Sequence, residues 1–175
     1  MARVPKNLIE KLKKIKMLIL DVDGVMTDGK ILWIDGTGWT RSFSVKDGYG
    51  LKILMKAGID VAVISGGDSK SVRERASFLG IKHVFLGDEN KMTALEKIKQ
   101  ATGFKNDEMS FVGDELFDIP VLNTVGFSAT VPHAVPEVKE VVHYVCTEPG
   151  GFGAVREVAD MIRVASEFSS DRKSK

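Results

Sequence analysis

The sequence predicts an α/β fold, a parallel sheet with helices on both faces. Short apolar runs recur along the chain, at Met17–Leu20, Val61–Ile64, His83–Leu86, Ser110–Val112 and Val125–Phe127. Runs that are apolar on both sides suit strands buried on both faces. Helical patterns of similar length separate the runs, and that alternation is the mark of βαβ crossovers.

Each element has a local reason. Residues 5–15 set Leu8, Ile9, Leu12 and Ile15 at helical spacing among lysines, an amphipathic opening helix. Met17–Leu20 is too short for a helix and reads as a central strand. Lys30 to Val45 breaks the rhythm, because it reads as two strands around the turn Asp35-Gly36-Thr37-Gly38. Ile31 to Ile34 are all apolar, so neither face of the first of these strands suits solvent. This hairpin either folds back on the body or packs on another subunit. The second is favoured, since an insert here projects from the sheet with little of its own domain beneath it. Helices follow at Tyr49–Lys56, Ser69–Phe78, Lys91–Thr102 and Leu116–Asn123, with Gly58, Gly80 and Gly103 placed to end three of the helical segments. A last helix, Ala154–Phe168, comes after the break Gly150-Gly151-Phe152-Gly153. Residues 1–168 are therefore expected to form one domain with a hairpin insert at 30–45, and residues 169–175 a disordered tail.

Composition sets limits without naming a chemistry. The 175 residues carry 25 Lys+Arg against 24 Asp+Glu, a formal charge of +1, which excludes a large nucleic-acid footprint. A single cysteine, Cys146, forms no intrachain disulfide and fits a reducing compartment. Met1 to Lys16 has no apolar core of a signal peptide, and the uncharged stretch 119–136 is broken by Pro120, Pro132 and Pro136. A soluble cytoplasmic protein is expected, without membrane or nucleic-acid partners.

Ligands of an open parallel sheet bind beyond the carboxyl ends of its strands. Asp21 and Asp23 follow the first strand, Ser65-Gly66-Gly67 the second, and Asp114-Glu115 the fourth, while Lys91 opens the helix after the third. These groups converge on one edge. Carboxylates gathered there repel one another unless a cation sits among them, and hard oxygen ligands suit Mg²⁺. The Ser65 hydroxyl and free N–H groups at Gly66 make an anion site, to which Lys91 adds a point charge. Together these are the parts of phosphoryl transfer. Two decoys fail. Gly24 to Lys30 satisfies G-x-x-x-x-G-K, but Ile31 stands where Ser or Thr is required and no helix follows. An EF-hand counted from Asp21 has its glycine at the wrong position. His83, His133 and His143 form no close pair and read as structural.

Asp21-Val22-Asp23-Gly24-Val25-Met26-Thr27-Asp28-Gly29 resembles the first motif of the haloacid dehalogenase superfamily of phosphatases. Ile64-Ser65-Gly66, Lys91 and Gly113-Asp114-Glu115-Leu116-Phe117-Asp118 follow in the order of the remaining motifs. Lys46-Asp47-Gly48-Tyr49-Gly50, Asn90-Lys91 and the segment Gly150 to Glu157 narrow the resemblance to the 3-deoxy-D-manno-octulosonate 8-phosphate phosphatase family, over about residues 15–165. It implies a capless, Rossmann-like, Mg²⁺-dependent phosphatase and a homotetramer whose hairpin and C-terminal tail help to cover a neighbour's active site. The short gaps from Asp21 to Ser65 and from Ser65 to Lys91 agree, since neither holds a cap domain.

The resemblance implies that Asp21 is the nucleophile and forms an aspartyl-phosphate, with Asp23 as general acid and then base. Asp21, the Asp23 carbonyl and Asp114 would hold the metal, and Ser65, Gly66 and Lys91 the phosphate. Asp118 would orient Lys91 or a metal-bound water. Lys46, Asp47, Lys52 and Arg75 match positions that contact a sugar acid. Three departures stand out: Gly67 where many relatives carry Arg, Phe152 in place of Arg in the tail motif, and Glu115 in place of a second Asp. The first two leave open a nine-carbon, sialic-acid-type 9-phosphate as substrate. A phospho-accepting receiver domain is the reading from another class, and it fits poorly because its lysine comes last in the chain.

Overall fold

The computed structural model describes residues 4–170. After a short 3-10 turn, Lys6–Leu8, the chain runs through α1 (Ile9–Leu12), β1 (Met17–Leu20), the hairpin strands β2 (Leu32–Ile34) and β3 (Gly38–Thr40), α2 (Val45–Lys56), β4 (Asp60–Ser65), α3 (Lys70–Leu79) and β5 (His83–Leu86). Next come α4 (Lys91–Thr102), β6 (Met109–Val112), α5 (Ile119–Leu122), β7 (Phe127–Thr130), α6 (Pro136–Val141), β8 (Tyr144–Val145) and α7 (Ala154–Ser170). Six strands form one sheet in the order β5-β4-β1-β6-β7-β8, every pair parallel. Counting core strands alone, that is the doubly wound order 3-2-1-4-5-6. The order reverses beside β1, so right-handed crossovers put α2 and α3 on one face and α4, α5 and α6 on the other. Helix α7 packs on the first face along α2 and α1.

The sheet is buried through its centre: all four residues of β1, of β6 and of β7 lack exposure. Met17, Leu18, Ile19 and Leu20 pair with Asp60–Val63 on one side and Met109–Val112 on the other. This accounts for the continuous apolar run of the central strand.

Several boundaries differ from expectation. Helix α2 starts at Val45, because the Ser44 hydroxyl caps it by accepting the Asp47 N–H at 3.2 Å. The opening helix is shorter, with α1 limited to Ile9–Leu12, although Leu8, Leu12 and Ile15 are buried as its periodicity requires. Leu116–Asn123 divides into a 3-10 turn and the four-residue α5. Strand β7 begins at Phe127, because Gly126 turns the chain and its N–H donates to Asn106 O at 2.7 Å. Ser169 and Ser170 extend α7 rather than starting a tail; the disorder expected for 171–175 lies outside the described residues. Elements α6 and β8 have no counterpart in the sequence reading. Among the described residues, no helix is long and apolar enough to cross a membrane.

Candidate active site

Beyond the carboxyl ends of β1 and β6, where the strand order reverses, the predicted groups meet. The Asp21 N–H donates to Val112 O at 2.9 Å, fastening the end of β1 to the end of β6. Lys91, the first residue of α4, is 1% exposed and reaches across the sheet edge. Its Nζ donates to Asp21 Oδ1 and to Asp118 Oδ1, both at 2.5 Å, and lies over the rings of Phe117 and Phe111. A cation at a helix N-terminus opposes the helix dipole. Two buried carboxylates outweigh that penalty.

The other oxygen of Asp118 accepts the backbone N–H groups of Asp114 at 2.9 Å and Glu115 at 3.1 Å. Asp118 thus holds Lys91 with one oxygen and the loop after β6 with the other. Gly113 leaves the room: a Cβ there would lie 2.5 Å from Asp118 Cγ.

Oxygens of Asp21, Asp114 and Asp118 fall within 4.8 Å of one another. Asp118 is committed to its partners, which leaves Asp21 and Asp114 for a metal. Asp114 Oδ1 is buried and has no hydrogen-bond partner, an orphan that a cation would satisfy. Burial, and then the neighbouring Asp118 charge, push the Asp114 pKa up to about 7. Burial also raises Asp21, against the pull of Lys91. Hard carboxylate oxygens fit Mg²⁺.

The Asp21–Gly29 loop is held by backbone packing. Thr27 Oγ1 donates to Val22 O and accepts the N–H groups of Gly24 and Gly29. Gly24 sits at φ +94° against Asp114, where a Cβ would come within 2.0 Å of Oδ2. The Gly150-Gly151 turn lies on the same loop, with the Gly151 N–H donating to Val25 O at 3.0 Å. A Cβ on Gly150 would meet Gly24 O at 1.7 Å. The glycine break before α7 is therefore a brace for the Asp-x-Asp loop.

Ser65, at the end of β4, is 3% exposed, and its Oγ accepts the Gly67 N–H at 3.2 Å. Asp23 is partly exposed, and both of its oxygens are taken by Arg41, through Nε at 2.5 Å and Nη2 at 2.8 Å. Arg41 follows β3 and escaped the sequence reading. Nothing in hairpin periodicity marks a residue that pairs with an acid eighteen positions earlier.

The expected sugar-acid residues lie outside this cluster. Lys46 is exposed at the start of α2. Asp47 is buried, and its Oδ1 accepts the Arg156 N–H at 2.8 Å, tying α2 to the start of α7. Lys52 and Arg75 line a groove of about 310 Å³ between α2 and α3, with Tyr49 and Phe78. Lys52 Nζ lies 4.3 Å from the Phe78 ring centre, and Arg75 Nη2 donates to Ser44 O at 2.9 Å. His143 is structural as expected: its Nδ1 accepts the Ser128 N–H across the β7–β8 edge. Cys146 is buried and free.

A doubly wound sheet that gathers carboxylates, a buried lysine and a buried serine hydroxyl at its switch point fits a metal-assisted phosphohydrolase. The haloacid dehalogenase-like hydrolase family matches residues 83–155. The chain is 38% identical over 164 residues to a 3-deoxy-D-manno-octulosonate 8-phosphate phosphatase of Yersinia pestis, covering 94% of this chain and 88% of the relative. The crystal structure of a Yersinia pestis phosphatase of that name superposes with a TM-score of 0.91, over 94% of this chain and 89% of that one. A Moraxella catarrhalis phosphatase, solved with magnesium, phosphate and a KDO molecule, superposes at 0.89 with 36% identity, over 96% of this chain and 97% of that one. The chain belongs to the 3-deoxy-D-manno-octulosonate 8-phosphate phosphatase family of haloacid dehalogenase-like hydrolases.

Proposed function

We propose that this enzyme hydrolyses 3-deoxy-D-manno-octulosonate 8-phosphate to the free sugar acid and phosphate. The observation that carries the reading is the Asp21 carboxylate, held through Oδ1 by Lys91 beside the unpartnered Asp114 Oδ1. Asp21 is assigned as the nucleophile that attacks phosphorus in line and forms an aspartyl-phosphate. Lys91, fixed by Asp118, neutralises charge on the transferring group. Ser65 and Gly66 cradle the phosphoryl oxygens. Asp23 gives a proton to the leaving sugar oxygen and later takes one from the hydrolytic water. Mg²⁺ is the cofactor; Asp21, Asp114 and the Asp23 carbonyl would hold it, and when bound it offsets the repulsion between carboxylate and phosphate.

The family membership and the magnesium, phosphate and KDO of the Moraxella catarrhalis relative support this substrate. No observation favours the nine-carbon alternative. The receiver reading is disfavoured by the sheet, since receivers follow the order 2-1-3-4-5.

A homotetramer in the cytoplasm completes the reading. Ile31, Leu32, Trp33, Ile34 and Trp39 expose a continuous apolar hairpin, and burying it against other copies would satisfy it. Lys46 and Lys52 on α2 and Arg75 on α3 would then serve a neighbour's site.

The deciding experiment is a kcat/KM panel on eight- and nine-carbon ulosonic acid phosphates and generic sugar phosphates. The expected result is a preference for the eight-carbon acid and Mg²⁺-dependent release, both lost in Asp21→Asn. A flat profile removes the sugar-acid substrate, and turnover by pure Asp21→Asn removes the nucleophile assignment.

A further inference from the structure

Arg41 occupies an unusual position for a hairpin residue. The strands before it are exposed, yet its own side chain is only 10% exposed, folded inward over the active-site loops. Nε and Nη2 grip the two oxygens of Asp23, while the third guanidinium nitrogen, Nη1, is buried with no hydrogen-bond partner. A buried N–H without a partner is costly, and a ligand oxygen is one acceptor that would satisfy it.

What that ligand is follows from the surroundings. The point where a Gly67 Cβ would stand is 3.5 Å from Arg41 Nη2, 3.7 Å from Asp23 Oδ2 and 3.8 Å from Ser65 Oγ. The guanidinium therefore shares one small space with the Ser65 hydroxyl and the Gly66-Gly67 backbone, the anion cradle itself. Gly67 carries no side chain to compete for that space.

The resting pair also conflicts with the chemistry assigned to Asp23. With both oxygens accepting from Arg41, the Asp23 carboxylate is turned to the guanidinium rather than to a leaving group. Turnover needs the pair to open, and the incoming dianion is the competing partner at hand. Arginine binds phosphoryl oxygens through the same planar fork with which it binds carboxylate.

We propose that Arg41 is a ligand of the substrate's phosphoryl group, stored on Asp23 in the free enzyme and transferred to the phosphoryl oxygens when substrate enters. The exchange gives Nη1 its missing acceptor and frees Asp23 for proton transfer. The phosphoryl end is the end it reads, because the carboxylate of the eight-carbon substrate lies at the opposite end of the sugar chain from the phosphate. The proposal rests on the phosphatase reading given above.

Calorimetry in Mg²⁺ with inorganic phosphate, and separately with the free eight-carbon sugar acid, tests it on the wild type and on Arg41→Gln. Phosphate affinity is expected to fall about tenfold or more, the scale of a charge-assisted hydrogen bond, with the sugar acid unaffected. Arg41→Lys is expected to recover part of the loss. Phosphate binding within about twofold of wild type overturns the proposal, and so does a loss confined to the sugar acid. Asp23→Asn tests the storage step, and Arg41→Lys replaces Arg41→Gln in every comparison if the latter folds poorly. Releasing Arg41 should tighten phosphate binding, and that gain should shrink in the double variant; equal gains in both backgrounds overturn the storage step. A wild type that binds phosphate but turns over no sugar-acid phosphate counts against the phosphatase reading, while the same binding data still decide the role of Arg41.

Discussion

Asp118 Oδ1 accepts a hydrogen bond from Lys91 Nζ at 2.5 Å, and neither side chain has any exposed surface. Removing one partner of a buried pair leaves an uncompensated charge, which costs about 3–5 kcal/mol. In Asp118→Asn the side-chain oxygen can still accept the Asp114 and Glu115 N–H groups, but an amide N–H then faces the ammonium. Thermal unfolding should register that loss of stability, and kcat should fall about a hundredfold as Lys91 loses its orientation. Wild-type kcat in a folded Asp118→Asn enzyme would contradict the positioning role.

Asp114 ties metal affinity to pH. Burial and the Asp118 charge raise its folded pKa to about 7, above the ordinary carboxylate value of 3.8. Between those values the folded state holds a proton that the unfolded chain has released, so the metal-free protein loses stability as pH rises through that window. Metal binding needs the ionised carboxylate. The Tm without Mg²⁺ should therefore fall between pH 5 and pH 8, and the increase in Tm on adding Mg²⁺ should be larger at pH 8. An equal Mg²⁺ increment at both values would exclude Asp114 as a ligand.

Gly24 and Gly58 make a matched pair. Both have positive φ, +94° and +85°, but a Cβ meets Asp114 Oδ2 at 2.0 Å in the first and nothing within 4 Å in the second. Gly58→Ala should cost only the left-handed penalty of about 1 kcal/mol and keep full turnover. Gly24→Ala displaces Asp114 and should lose Mg²⁺-dependent phosphate release along with Mg²⁺ affinity. Calorimetry with Mg²⁺ separates the two variants.

Trp33 and Trp39 face each other across the hairpin with ring centres 5.1 Å apart, and each is more than half exposed. A Trp33→Glu, Trp39→Lys double variant should sediment as a folded monomer with unchanged far-ultraviolet dichroism. Its kcat/KM for the sugar-acid phosphate should drop if neighbouring subunits complete the site. Sedimentation as a tetramer would place the assembly interface elsewhere.

The local code settled much of this protein. Met17–Leu20 can bury both faces only as a central strand, and the predicted β5 and α4 coincide with the observed elements. Asp21, Ser65, Lys91 and Asp114 were readable as neighbours because strand ends in an open sheet share one edge. Tertiary structure decided what each group does to the others. The motif resemblance left Asp118 to orient Lys91 or a metal-bound water, and the structure gives it to Lys91; Asp47 is committed to the start of α7 and Gly150 to the backbone of Gly24, and these two pairings have no period in the sequence. Arg41 is the clearest case. Its place over Asp23 depends on how a hairpin with no core of its own folds back at its root, and that is a long-range contact rather than a local preference.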